Sequence, residues 1–380
     1  MKKVSLMLLS ILSAEAQNLS SALAQTKVDG YVRATYQAHN VKDDRIYRDD
    51  ALGGKVHIET GNFYGVSLGA SLYSSNAMFN DDNHGLVPLR GESHKSYTIL
   101  GEAYMQLDFG KSMLKIGRQE IDTPFAQVDD IGMIPNTFES AIFENNDIEN
   151  TSIFLGQIQR MAGVDAEVVD KFTNVNGSND MQVLGINYEG VKDLALQGWY
   201  YNLKDGEIDS IAYLEANYEK ELGDMTYGVG LQYAKESYLN DADANIYSGT
   251  LSATVNKIGL TLSTAYSKAK DNGASSGFGG GPFFSNSEYL ILDNAGKDGT
   301  ALWYGAEYDA SKVGIEGLTI GLEYVTLTNE AKKEATEADL VLSYEMNDAF
   351  EIHAIASNLK GHNVGEDDAK HLRVFANYNF

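Results

Sequence analysis

A two-residue period runs through nearly the whole chain, and alternation repeated in stretch after stretch cannot be built from helices. The last stretch shows the grammar. Leu372, Val374, Ala376, Tyr378 and Phe380 share one face, Arg373, Phe375, Asn377 and Asn379 share the other, and the chain stops on an aromatic. One strand of this kind suits a soluble sandwich as well as the wall of a transmembrane β-barrel, with lipid outside and water inside. Repetition has to separate the two. From Lys27 onward Val28, Gly30, Val32, Ala34 and Tyr36 alternate with Asp29, Tyr31, Arg33, Thr35 and Gln37. Similar stretches recur near 54–59, 64–72, 97–109, 113–119, 139–145, 148–158, 181–189, 194–202, 210–219, 225–235, 245–256, 258–268, 300–309, 317–327, 337–346 and 349–358. With the terminal strand that gives about eighteen, many near the nine to eleven residues a tilted membrane strand needs.

The connections alternate too. Gly110-Lys111-Ser112, Asn256-Lys257 and Met346-Asn347-Asp348 are short, whereas 42–50, 74–96, 120–138, 159–180 and 269–299 are long. A sandwich has no reason to place its long connections at every second position; an outer-membrane barrel does, with short periplasmic turns and long extracellular loops. The expected fold is therefore all-β, a transmembrane antiparallel barrel of about eighteen strands. At the N-terminus Lys2 and Lys3 precede an apolar run from Val4 to Leu12, and Ala22-Leu23-Ala24 forms a small-residue cleavage site, with Ala14-Glu15-Ala16 as an earlier alternative. Residues 1–24 read as a secretory signal peptide and 25–380 as one barrel domain. The apolar run is too short to span a bilayer. Localisation follows as the outer membrane of a Gram-negative bacterium, with outer-membrane lipid and lipopolysaccharide and the barrel assembly machinery as partners.

Composition narrows function. The chain has no cysteine, which excludes Cys-ligated metals, and no metal or cofactor is expected. A net charge of -25 argues against nucleic acid. The second face of the strands is small or polar, as in Ser248, Thr250, Ser252 and Thr254 or Gly259, Thr261 and Ser263. A bore of this circumference lined this way holds water unless loops fill it, so function lies in the bore and its narrowing. The stretch from Glu120 to Phe138 carries Asp122, Pro124, Phe125, Asp129, Asp130, Pro135 and Phe138, including two of the four prolines. Folded inward it would bury its apolar residues and constrict the bore; packed outside it would be a lid.

Lys115-Ile116-Gly117-Arg118-Gln119, Asp122-Thr123-Pro124, Asp129-Asp130 and Met133-Ile134-Pro135-Asn136-Thr137-Phe138-Glu139 together resemble the strand and constriction-loop signature of OprD-like outer-membrane porins, and Gly280-Gly281-Pro282-Phe283-Phe284 is similar to a segment in a later loop of many members. The resemblance implies an eighteen-stranded barrel narrowed by inward loops, passing small hydrophilic solutes, with many members favouring carboxylates guided by basic residues on the bore wall. Parity supplies candidates for that row. Arg33, Lys55 and Arg373 fall on the polar face of the first, second and last strands, which closure makes neighbours, about six residues from the periplasmic end, so they should cluster near mid-height. Lys115 is a weaker addition. Arg118 has the parity of Leu114 and Ile116, so it lies above the lipid band unless a bulge turns it inward; the family motif favours inward. Asp129 and Asp130 are the opposing acids. Tyr378 and Phe380 form a C-terminal assembly signal, as the family's terminal aromatic implies.

The alternative for the bases is bracing of the wall by Asp29, Glu59, Glu102 or Asp108, and the acidity of the loops leaves anion, cation and neutral preference all open. Enzymatic motifs are missing, and Asn80-Asp81-Asp82-Asn83-His84-Gly85 fails as a calcium loop because Glu92 stands one place too far. The reading is a non-enzymatic porin, monomer or trimer, for passive diffusion of small hydrophilic solutes. Its rivals are an adhesive or structural surface barrel, a barrel enzyme and a sixteen-stranded general porin.

Overall fold

The computed structural model describes residues 19–82 and 86–380. Lys2, Lys3, the apolar run, the earlier cleavage candidate and part of the calcium-like segment (Asn83, His84, Gly85) lie outside them. The first half of the wall comprises β1 (Lys27–Val41), β2 (Ile46–Glu59), β3 (Val66–Asp81), β4 (Tyr97–Phe109), β5 (Ser112–Gln119), β6 (Thr137–Asn145), β7 (Thr151–Ala162), β8 (Thr173–Asn174), β9 (Met181–Val191) and β10 (Leu194–Asn202). The second half comprises β11 (Ile208–Leu222), β12 (Met225–Tyr238), β13 (Ala244–Val255), β14 (Leu260–Lys270), β15 (Thr300–Asp309), β16 (Leu318–Thr328), β17 (Glu334–Asn347), β18 (Phe350–Lys360) and β19 (Asp368–Asn379).

All pair antiparallel in one sheet, and β1 pairs with β19, so the sheet closes on itself. The two-residue β8 clips onto the end of β7, which pairs directly with β9, leaving eighteen strands in the wall. Closure removes every edge, the only way a sheet can meet hydrocarbon without orphaned backbone groups. The seam runs from Tyr31 opposite Asn379 to Val41 opposite Ala369, and Gly30 and Phe380 exchange both backbone hydrogen bonds at 3.1 and 3.0 Å.

Alternation sets the faces. Leu251 and Leu262 are 57% and 54% exposed, whereas Ser248 and Ser267 on the other face are buried in the bore. Outward aromatics ring both ends of the apolar band, with Tyr378, Phe380, Phe109 and Tyr218 at the short-turn end and Tyr200, Tyr247 and Tyr266 toward the other. The strands outrun the alternation. β2 starts at Ile46 and β3 reaches Asp81, so the expected loop 42–50 is a turn of four residues and 74–96 begins at 82. Above the lipid band the backbone ladder continues although no lipid selects apolar residues, and the period that betrays a strand is lost.

Candidate functional site: the loop-narrowed bore

The segment between β5 and β6 turns inward rather than outward. Its first half packs on one wall: Phe125, fully buried, stands edge-on to Tyr201 (5.6 Å) and Tyr213 (5.7 Å) of β10 and β11. Its second half reaches another: Met133 and Ile134 are buried with Tyr73, Tyr97 and Ile99 of β3 and β4. The segment therefore forms a chord across the bore. Burying Phe125 at one end and Met133 and Ile134 at the other, worth about 2 kcal/mol per side chain, outweighs leaving them in an external lid.

A second chord comes from 271–299. Gln127 donates to the Phe278 carbonyl (3.1 Å) and Phe278 donates to the Phe125 carbonyl (2.9 Å), so the chords meet backbone to backbone. That approach explains the glycines. Gly277 (φ +70) and Gly279 (φ +130) sit where a Cβ would stand 2.7 Å from the Phe125 carbonyl and 2.8 Å from that of Gln127. Phe283 buries against Phe125 at 6.0 Å. Farther along, the Tyr289 and Leu290 amides donate to Glu337, the Ser287 hydroxyl donates to Asp339 (2.7 Å), and Tyr289 stacks on His371 (3.8 Å). The glycine-rich piece thus belongs to an anchored constriction element.

Arg33, Lys55 and Arg373 each meet a carboxylate. Arg33 makes two parallel hydrogen bonds to Asp130 (2.6 and 2.7 Å) and gives others to the Gly132 carbonyl (2.8 Å) and Asn377 (2.9 Å). Lys55 lies 3.0 Å from Glu102 and 2.9 Å from Glu120. Arg373, 2% exposed, forms an ion pair with Glu288 of the second chord. Asp130 is thus Arg33's partner rather than an opposing acid. The three bases do not share one height. Lys55 is opposite Tyr31, Arg33 stands two residues on, and Arg373 is opposite Gln37, a staircase of about 20 Å along β1. Phe375 stands between the arginines, 5.2 Å from Arg33 and 5.5 Å from Arg373.

Lys115 faces the bore over Tyr104 (3.8 Å), with no ion pair among the described residues. It lines a cavity of about 350 Å³ with Glu120, Asp122, Glu144 and Trp199. Arg118 does not turn inward. No bulge interrupts β5, and the side chain stays on the outer face, stacked on Phe172 (4.3 Å) and 3.9 Å from Glu139, which Arg160 also meets at 2.7 Å. Parity overrides the inward placement that the motif implied. Pro124 and Pro135 are buried within the chord, and Phe138 is fully buried on β6.

Asp129 sits where the chords meet. Burial first, then the neighbouring Asp165 carboxylate, pushes it up to about 7. Sequence reasoning missed Glu288, Tyr289 and the His39–His371 contact (2.7 Å between the Nδ1 atoms). The apolar run Leu290-Ile291-Leu292 within a polar loop was the available signal for an inward anchor; Glu288 and His39 carried none. Elsewhere on the wall, Glu215, Glu307, Glu323, Glu337, Asp339 and Glu351 face inward with no ion pair among the described residues.

Solved structures share this architecture. Pseudomonas aeruginosa OpdG superposes with a TM-score of 0.81 at 17% identity, covering 94% of this chain and 99% of that one. A BenF-like porin from Pseudomonas fluorescens gives 0.80 at 17%, and P. aeruginosa OpdK, solved with vanillate, gives 0.78 at 18%, both over 94% of this chain and 99% of theirs. At such identities the likeness is one of fold. No curated protein sequence matches the chain. The family model for outer membrane porins of the OprD family matches residues 62–380. With most of its length under that model and its wall and chords built as described, the chain belongs to the OprD family of outer-membrane porins.

Proposed function

We propose that this porin is a passive, non-enzymatic channel for small hydrophilic solutes, exported with residues 1–24 removed, and that its bore favours cationic and neutral solutes over free carboxylates. One observation carries the charge preference. The bases at the narrowing are spent on carboxylates, Arg33 on Asp130, Lys55 on Glu102 and Glu120, and Arg373 on Glu288, while Glu215 of β11, Glu307 of β15, Glu323 of β16 and Asp339 of β17 have no ion pair among the described residues. A narrow bore with low-dielectric walls concentrates ions of the sign opposite to its uncompensated charge. The carboxylate preference that the family resemblance suggested needs free bases, and only Lys115 offers one among the described residues.

The test is the reversal potential of the purified protein in a planar bilayer under a salt gradient. Cation selectivity is expected. Asp130→Asn and Glu288→Gln each release an arginine and should move the potential toward the anion side, with the double variant moving farther. Anion selectivity of the unaltered protein would overturn the charge preference, and a correctly folded barrel that conducts no ions would overturn the channel itself.

A further inference from the structure

One charged patch of the molecule faces away from the bore. It lies on the outer surface of β18, β19, β1 and β2, toward the long-loop end. Leu372 is flanked in register by Ala356 and Ala38, and Ala38 by Arg48; one row farther out Lys370 lies between Asn358 and Asn40, and Lys360 follows on the same face of β18. Arg48, Lys360 and Lys370 are exposed, and among the described residues none has an ion-pair partner. The carboxylates bordering the patch are engaged or peripheral. Asp368 pairs with Lys42 (3.5 Å), Asp50 accepts the Phe79 amide (2.7 Å), and Glu334 stands at the outer end of β17. With strands about 4.8 Å apart and residues about 3.3 Å apart, Lys370 stands about 8 Å from Lys360 and about 12 Å from Arg48, between the two, so long side chains from both sides reach toward it.

Below them the wall is low. Ala354 and Ala356 share the outer face of β18 between Leu340 and Leu342 of β17 and Leu372 and Val374 of β19, and Ala38 lies beyond Leu372, while Tyr36 stands beside Val374 on β1. Small side chains between larger neighbours leave a trough along the strands. Apolar trough below and unpartnered bases above match one kind of occupant, a molecule with an acyl chain and an anionic head at the boundary of hydrocarbon and water.

We propose that this patch at the barrel seam binds a phosphorylated glycolipid of the outer leaflet, an acyl chain lying along the alanines and a sugar phosphate held by Arg48, Lys360 and Lys370. The inference rests on the outer-membrane setting but not on the channel's selectivity. Phosphate is the fitting head because its oxygens accept charge-assisted hydrogen bonds from several bases at once, and at the membrane boundary water competes less for those donors.

The experiment is native mass spectrometry of the delipidated full barrel titrated with bis-phosphorylated lipid A. The unaltered protein should retain one copy. The variant R48Q/K360Q/K370Q should retain it at least about tenfold more weakly, the loss of several charge-assisted contacts. Dephosphorylated lipid A should bind the unaltered protein no better than phosphorylated lipid A binds that variant. Ala356→Trp, which fills the trough without touching charge, should weaken retention too, and Lys268→Gln on the outer face of β14 should leave it unchanged. Equal retention by the triple variant, equal binding of the dephosphorylated lipid, or displacement by millimolar inorganic phosphate would overturn the proposal. Heat-resistant migration and unaltered conductance check that each variant is folded; should the triple variant fail, Lys370→Gln alone decides, with a severalfold loss expected and no loss counting against the site.

Discussion

Arg33 shows how one residue's position in sequence can be right and its role different. Its place on the bore face follows from parity alone, since Val32 and Ala34 on either side face lipid. What occupies its guanidinium does not: Asp130, 97 residues away, arrives only when the first chord folds across the bore. The same holds for Arg373 and Glu288. Asp129 gives the residue-scale prediction. Its carboxyl holds a proton until about pH 7, because the folded molecule buries it beside Asp165. As pH rises through 7 a negative charge appears where the chords meet, and as pH falls it disappears. Cation selectivity, read as reversal potential between pH 5 and 9, should therefore weaken on the acid side of neutrality. Asp129→Asn should flatten that profile; a profile that keeps its full step in the variant would assign the titration elsewhere.

At the scale of the element, strands were legible wherever lipid enforces alternation and illegible above it. The existence and facing of β13 and β14 follow from Tyr247, Leu251, Leu262 and Tyr266 against Ser248, Thr250 and Ser267. The outer ends of β2 and β3 gave no such signal, because polar residues occupy both faces there. Facing has a direct test. Leu251→Arg places a charge in hydrocarbon at a cost of roughly 2–4 kcal/mol, whereas Thr250→Arg points into water. The heat-resistant fraction recovered in outer membranes should fall severely for the first and little for the second, and equal yields would reassign the face of β13. The chords obey a different logic. Their apolar residues, Phe125, Met133, Ile134 and Phe283, announced that the loops must bury something, but not which wall would receive it.

For the whole molecule, closure is the decisive event. The β1–β19 seam brings chain positions 31 and 379 into register and extends to Phe380, whose backbone pairs with Gly30. Deleting Phe380 removes the last two seam hydrogen bonds and an outward aromatic at the short-turn end. Assembly into the outer membrane should drop several-fold, measured as heat-resistant barrel per cell; normal yield would show that the seam forms without its terminal pair. By itself the sequence determined the strand number, the faces, the alternation of short and long connections and the family, because these are written in periodicity and local motifs that repeat with every strand. The tertiary structure alone decided that two chords rather than one narrow the bore, that Arg118 stays on the outer face, and that the bases are matched by carboxylates from 47 to 97 residues away. A side chain's facing depends on its neighbours in the chain, whereas its electrostatic partner depends on which distant loop the closed barrel holds against it.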